Sequence, residues 1–269
     1  MPAAVPATVV VAWAGLLLAE LRDLPIGHDA LAGGSVPLAA ALGIFGVAWA
    51  AMVVAMMLPS SYPVVRALAA TIAEPRERMP RVAPFLVGYL VVWTLFGFAL
   101  FVADIGIHAV VDGSPAPGAA HATLTGNALM IAGAYQLTER KRRCLSRCRH
   151  AAEPRAAAAA PGGAWDAPAE PRAAVAKPRA VDGPAGAALD APASASGAGF
   201  RVGLAHGLDC LGSGWALMLA VFALASPQVV WMALFAGVMA YEKVGRHGVL
   251  VARLAGLALL VASVLVALS

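Results

Sequence analysis

Apolar residues run through this chain in long stretches that polar positions interrupt only at intervals. Seven stretches, about residues 3–21, 36–58, 82–103, 122–138, 202–224, 228–242 and 248–268, are each close to the length a helix needs to cross a bilayer. That length is about 20 predominantly apolar residues. The pattern predicts an all-α fold, a polytopic transmembrane helical bundle of about seven helices. The fourth and sixth stretches are short, which local bilayer thinning and snorkelling flanks accommodate, and six is the alternative count.

The polar positions then supply an orientation. Basic residues gather after the second helix (Arg66, Arg76, Arg78, Arg81), after the fourth (Arg140 to Arg201) and around the last turn (Lys243, Arg246, Arg253). If helices alternate through seven spans, all of these fall on one side and only Arg22 on the other. Because cytoplasmic loops hold the excess of Lys and Arg, the expected topology has the N-terminus cytoplasmic and the C-terminus external, in the inner (plasma) membrane. The first stretch has no Lys or Arg ahead of it and no small-x-small cleavage site before Glu20, so it is expected to remain as a helix and not to be removed as a signal peptide.

Between Ala151 and Gly199 the chain changes character to Ala, Pro and Gly with scattered charges. Such a composition buries too little apolar area to offset chain entropy, and its prolines interrupt any alanine-rich helix. The expected organisation is a four-helix half over 1–150 with a basic cytoplasmic extension, a disordered cytoplasmic linker over 151–199 and a three-helix half over 200–269. The halves show no internal repeat.

Composition agrees with a membrane class. Hydrophobic residues make up 61% of the chain and charged residues 13%, with a mean hydropathy of +0.78. Soluble domains carry roughly 25% charged residues. The net charge of +4 does not indicate nucleic acid, since the basic residues lie between apolar stretches and not along one soluble face. Three cysteines cannot all pair with one another, so free thiols are expected.

Within this frame the chemistry rests on a few residues. Cys144 and Cys148 lie just after the fourth helix in Glu139-Arg-Lys-Arg-Arg-Cys-Leu-Ser-Arg-Cys-Arg-His150. If the helix continues, the i, i+4 spacing puts both thiols on one face, where they suit Cu(I) or zinc, and nearby arginines would favour thiolate. The alternative is two reduced juxtamembrane thiols amid topology-setting charge. The fifth helix places His206, Asp209 and Cys210 at i, i+3 and i+4, with Gly214 and Met218 continuing the stripe. Ionisable groups at membrane depth face the bundle interior and mark functional sites, although a glycine-rich packing face with a satisfied histidine would read the same way.

Met52 and Met56 share a face of the second helix, with Met57 adjacent and Pro59 and Pro63 expected to stop or bend it. Methionine stripes are commonly core filler. Their depth matters, however: Met52, Met56, His206, Cys210 and the Cys144–Cys148 pair all fall in one cytoplasmic layer. Glu242, at the inner end of the sixth helix, either accepts from a ligand histidine or pairs with Lys243 or Arg246; the ion pair is the expectation. On the outer side, Asp104 and His108 are i, i+4, and His28, Asp29, Asp112 and His121 are expected in outer loops, simply solvated or else forming an outer mouth if something is transported. Motifs for nucleotide hydrolysis, acyl transfer, zinc proteolysis and covalent haem are absent from the sequence, so a conventional enzyme is not expected.

The chain resembles the DUF2182 family of bacterial membrane proteins, described as predicted metal-binding integral membrane proteins. The stretches that carry the resemblance are Ala51-Met-Val-Val-Ala-Met-Met-Leu-Pro59, Gly88-Tyr-Leu-Val-Val-Trp93, Tyr135-Gln-Leu-Thr138 with Cys144-Leu-Ser-Arg-Cys148, Cys210-Leu-Gly-Ser-Gly-Trp-Ala-Leu-Met218, and Trp231-Met-Ala-Leu through Glu242-Lys243. The resemblance implies a metal-handling, copper-chaperone-like role. One departure stands out. The family pattern has a Cys-Cys pair just before the tryptophan of the fifth helix, where this chain has Ser213 and Gly214.

The expected function is binding of a soft transition metal, copper first and zinc second, at the cytoplasmic face through Cys144, Cys148, His206, Cys210, Asp209, Met52 and Met56. Glu242 would stand behind the ligands, and the ion would pass to or from a metal-accepting protein or membrane complex. The alternatives are a non-metal membrane scaffold or accessory subunit, and a metal or proton transporter using His206 and Asp209.

Overall fold

A computed structural model describes residues 4–24, 27–33, 36–72, 74–111, 113–150, 196–224 and 228–268. The described residues are helical throughout, in nine α-helices and one short 3-10 turn: α1 (Ala4–Leu21), α2 (His28–Ala32), α3 (Leu38–Ala70), the turn Pro75–Glu77, α4 (Arg78–Val111), α5 (Pro117–Gln136), α6 (Glu139–His150), α7 (Ser196–Ala223), α8 (Gln228–Val244) and α9 (Gly248–Leu268). The expected linker lies outside the described residues over 151–195, and α7 already begins at Ser196.

Four segments are long and apolar enough to cross a membrane: Leu38–Ala70, Pro75–Val111, Gly197–Ala223 and Gly248–Leu268. The protein is therefore a membrane protein. Of the other three stretches expected to span, α1 is apolar but short, α5 carries Thr123, Thr125, Asn127 and Gln136 in its 20 residues, and α8 has 17. Large apolar side chains such as Val10, Leu18, Leu257, Val261 and Leu265 are turned outward on α1 and α9, the surface a lipid environment would cover.

The helices α3 and α4 have 33 and 34 residues, longer than the apolar runs that predict them. Pro59 and Pro63 do not stop α3, which continues to Ala70. A proline deprives the carbonyl four residues earlier of its donor. For Pro59 that carbonyl belongs to Ala55, and the Trp13 indole Nε1 of α1 donates to it at 3.1 Å. A neighbouring helix thus restores the bond that proline removes, the usual condition for proline inside a membrane helix.

Close packing at glycine fixes the central pair. The α4 and α7 helices meet where Gly88 faces the backbone of Phe200 and Gly203 that of Phe85, with no room for a Cβ at either position. The α5 and α9 helices approach in the same way at Gly133 and Gly256. Around these pairs α3 packs on α4 and α8, and α1 on α3.

The short helix α6 decides the geometry of the thiols. Thr138 interrupts the chain after α5, and its Oγ1 accepts from Lys141 N at 3.2 Å, an N-cap for the new helix. Released in this way, α6 packs on the middle of α7, around Asp209 to Ser213, and on the end of α8 at Glu242. Lys141, Leu145 and Cys148, at i, i+4 and i+7, form its buried face, while Arg143 and Arg147 are exposed.

Candidate functional site

At the end of the bundle covered by α6, polar side chains from six helices meet in the interior. Cys210 on α7 is fully buried. Its Sγ accepts a hydrogen bond from Lys243 Nζ of α8 at 2.8 Å and lies 3.2 Å from the Tyr89 hydroxyl of α4. The same ammonium donates to Ser60 Oγ of α3 at 3.1 Å. Ser213, one turn beyond Cys210, donates to the Cys210 carbonyl at 2.8 Å, and Cys148 Sγ of α6 is 3.9 Å from its hydroxyl. The Cys148 thiol thus reaches the serine that is tied to the backbone of Cys210.

A buried ion pair closes this end. Lys141 Nζ donates to Glu242 Oε2 at 2.7 Å and to the Ser213 carbonyl, and Gln136 Nε2 donates to Glu242 Oε1 at 2.7 Å. Glu242 does form an ion pair, but not with the expected Lys243 or Arg246: the partner is Lys141, brought in by α6, and Lys243 turns to Cys210. Burial lowers the Lys141 pKa, and the neighbouring Glu242 carboxylate opposes that shift. Arg149 adds a further tie, donating to the carbonyls of Glu242 and Gly245.

His206 faces the interior. Its Nε2 is 3.3 Å from Ser61 Oγ, and its ring lies against Tyr89 and Phe85 with centroids 5.8 and 5.7 Å away. Tyr89 thus touches both His206 and Cys210. Met52, Met56 and Met57 are buried in the same apolar core as Cys210, Met218 and Met239. Asp209 departs from this group. It sits on the flank of α7 facing α6, 3.5 Å from Arg147 Nη1, so the shared face of His206, Asp209 and Cys210 divides in space.

Cys144 and Cys148 also differ from each other. Cys148 is buried, while Cys144 is half-buried with its Sγ against Gly212, whose missing side chain makes the room. The arginines do not hold these thiols as thiolates. Burial pushes the Cys148 thiol up to about 12, and burial also raises Cys144. Of the nearby guanidiniums, Arg149 is engaged by the carbonyls of Glu242 and Gly245, and Arg147 is 68% exposed, where water screens its field.

All of the residues expected at the site are thus located, but they are not one preformed ligand set. Among the described residues no three His, Cys, Asp or Glu side chains are grouped to hold a metal ion. Sequence reasoning did not single out Tyr89, Lys141, Ser60, Ser61, Ser213 or Gln136 as parts of the site. Lys141 is hidden in a run of topology-setting charge. Tyr89 does fall within a stretch that carries the family resemblance, and that is the one signal that pointed to it.

Over residues 46–266 the sequence matches the family described as PpoB2, copper chaperone. The chain belongs to the PpoB2 copper chaperone family. The match takes in every helix that contributes to the buried thiol end and bears out the copper-chaperone part of the resemblance. Comparisons with curated proteins and with solved structures give no match. For a PpoB2 copper chaperone the chemistry of this end is apt, since thiol, thioether and imidazole donors are those that soft copper prefers.

Proposed function

We propose that this chain binds copper as Cu(I) at the thiol end of the bundle and passes it to a metal-accepting protein or membrane complex. The observation that carries the reading is the burial of Cys210 and Cys148, from two helices, in one core with methionines, the Cys148 thiol 3.9 Å from the serine hydroxyl that caps the Cys210 carbonyl. Cys210 and Cys148 would be the thiolate ligands, with His206, Met52 and Met56 within the same end and Cys144 at its margin. Asp209 would steer a cation toward that margin from the α7 flank. Glu242 holds α6 in place through Lys141.

The positive-side charge pattern supports a cytoplasmic position for this end, with seven spans and an external C-terminus, in the inner membrane. Reporter fusions near Arg142 should read cytoplasmic and fusions at Ser269 external. The metal reading is tested by copper and zinc analysis of purified wild-type protein beside Cys210→Ser. Copper in the wild type that is lost in a folded Cys210→Ser supports it; equal metal in both, or none in either, rejects it. Flux into proteoliposomes tests the transporter alternative.

A further inference from the structure

Beside the thiol end, α6 and the junction of α8 with α9 enclose a cavity of about 440 Å³. Arg142, Ser146 and Arg149 line it from one face of α6, Arg246 lines it from the junction, and Leu145 and Leu250 supply apolar wall. Among the described residues no carboxylate lines it. Three guanidiniums from segments about a hundred residues apart in sequence are thus brought around one space, which the clustering of basic residues along the chain does not by itself require.

The three are held differently. Arg149 Nη1 donates to the carbonyls of Glu242 and Gly245 at 3.2 and 2.9 Å, neutral acceptors that fix the guanidinium without cancelling its charge. Glycine at 248 admits it, since a Cβ there would stand 2.6 Å from Arg149 Nη1. Arg142 pairs with Glu139 on its own helix, and Arg246 is exposed and in no ion pair among the described residues. Three guanidiniums against the one carboxylate of Glu139 leave an excess of two positive charges at the cavity. An anion relieves that excess, and the planar guanidinium fork matches a phosphate group in particular.

The depth of the cavity says what carries the phosphate. The membrane-crossing run of α9 starts at Gly248, so Arg246 and Leu250 stand where the apolar core gives way to headgroups. From that level Leu250, Leu254, Leu257, Val261 and Leu265 are exposed along one stripe of α9, at i, i+4, i+7, i+11 and i+15. We propose that the cavity holds the headgroup of an anionic phospholipid, its phosphate between Arg149 and Arg246 and its acyl chains along the α9 stripe. The volume falls in the range of about 300–1,000 Å³ usual for ligand sites, and basic pockets between membrane helices are suited to such headgroups. The lipid bridges α6 to the α8–α9 junction and so braces the helix that carries Cys148. No thiol lines the cavity, so the site stands whether or not copper binds nearby.

The test is binding of phosphatidylglycerol with a fluorescent acyl tail to the full chain in detergent, against three competitors: unlabelled phosphatidylglycerol, phosphatidylcholine of the same chains and inorganic phosphate. Phosphatidylglycerol should displace the probe at least tenfold more strongly than either of the others. Arg246→Gln should weaken its binding about tenfold, the worth of one hydrogen bond to a charged group. Arg143→Gln removes the same charge from the exposed face of α6, outside the cavity, and should change binding less than twofold. Ser146→Trp keeps every charge but fills the space, and should weaken binding as Arg246→Gln does. Because Ser146 and Arg246 are exposed, the thermal melts of both variants without lipid should match the wild type, so that lost binding is not lost folding. Equal losses in Arg246→Gln and Arg143→Gln would mean diffuse surface charge and overturn the proposal. So would a Ser146→Trp that binds as the wild type does, phosphatidylcholine that competes equally, or inorganic phosphate that competes equally, which would make the site one for a free anion.

Discussion

Lys243 Nζ donates to Cys210 Sγ across 2.8 Å inside the bundle, so the central thiol of the site already has a cation in contact. An incoming Cu(I) must share that space with the ammonium or displace it. Two unit charges about 4 Å apart repel by about 4 kcal/mol at an effective dielectric of about 20, and movement of the lysine would relieve part of this. Lys243→Met removes the charge and adds a thioether. We expect its Cu(I) affinity, from competition with a chromophoric chelator, to exceed the wild type's by tenfold or more. An unchanged affinity would mean that the ion binds away from Cys210.

The Lys141–Glu242 pair is 0% and 1% exposed, which makes it sensitive to removal of one member. Glu242→Gln would leave the ammonium buried without its charge partner, at a cost of about 3–5 kcal/mol. The melting temperature in detergent should fall accordingly. Lys141→Met together with Glu242→Met should restore much of the loss, and two single losses that merely add in the double variant would contradict the coupling.

Thiol reactivity should separate the cysteines. A thiol pushed up to about 12, as burial does to Cys148, is about one part in ten thousand thiolate at pH 8, against roughly a quarter for an ordinary thiol. Cys148 should therefore alkylate slowly in native protein, and faster by about tenfold per pH unit up to that value. Cys144, half-buried, should react first. Because thiols lose their protons to bind metal, Cu(I) affinity should also rise with pH. Mass spectrometry of the modified peptides over a pH series gives the rates, and equal rates at Cys144 and Cys148 would count against the burial described here.

Ser213 and Gly214 stand where the resemblance drawn from the sequence expects a Cys-Cys pair. A Cβ on Gly214 would meet Met239 Sδ at 3.5 Å and Met57 Cε at 3.8 Å, ordinary contact distances, so the backbone there has room for a side chain. Gly214→Cys should fold and bring a third thiol among two methionines. Ser213→Cys should bring another toward Cys148. Each variant should raise Cu(I) affinity or stoichiometry by metal analysis; a folded double variant that binds no more copper would place the site elsewhere.

The sequence by itself determined the solvent and the class. Long apolar runs require a membrane and the helices that satisfy backbone groups within it, and clustered arginines mark one side, because both are properties of segments taken singly. It also located the sulfur, since Cys144, Cys148, Cys210, Met52 and Met56 are visible by type and by depth. Partnership was not legible. Lys141 reads as one more positive charge in Glu139-Arg-Lys-Arg-Arg143, yet it is buried because the chain breaks at Thr138 after α5 and α6 packs over α7. Local spacing puts Asp209 beside Cys210, yet α6 draws its carboxylate to Arg147. The run of α3 through Pro59 depends on the Trp13 indole, 42 residues before the Ala55 carbonyl it bonds. In each case the deciding partner comes from another helix. Periodicity along a chain fixes which face a residue occupies, but only packing between helices decides what that face meets, and with it the protonation and reach of the groups that bind an ion.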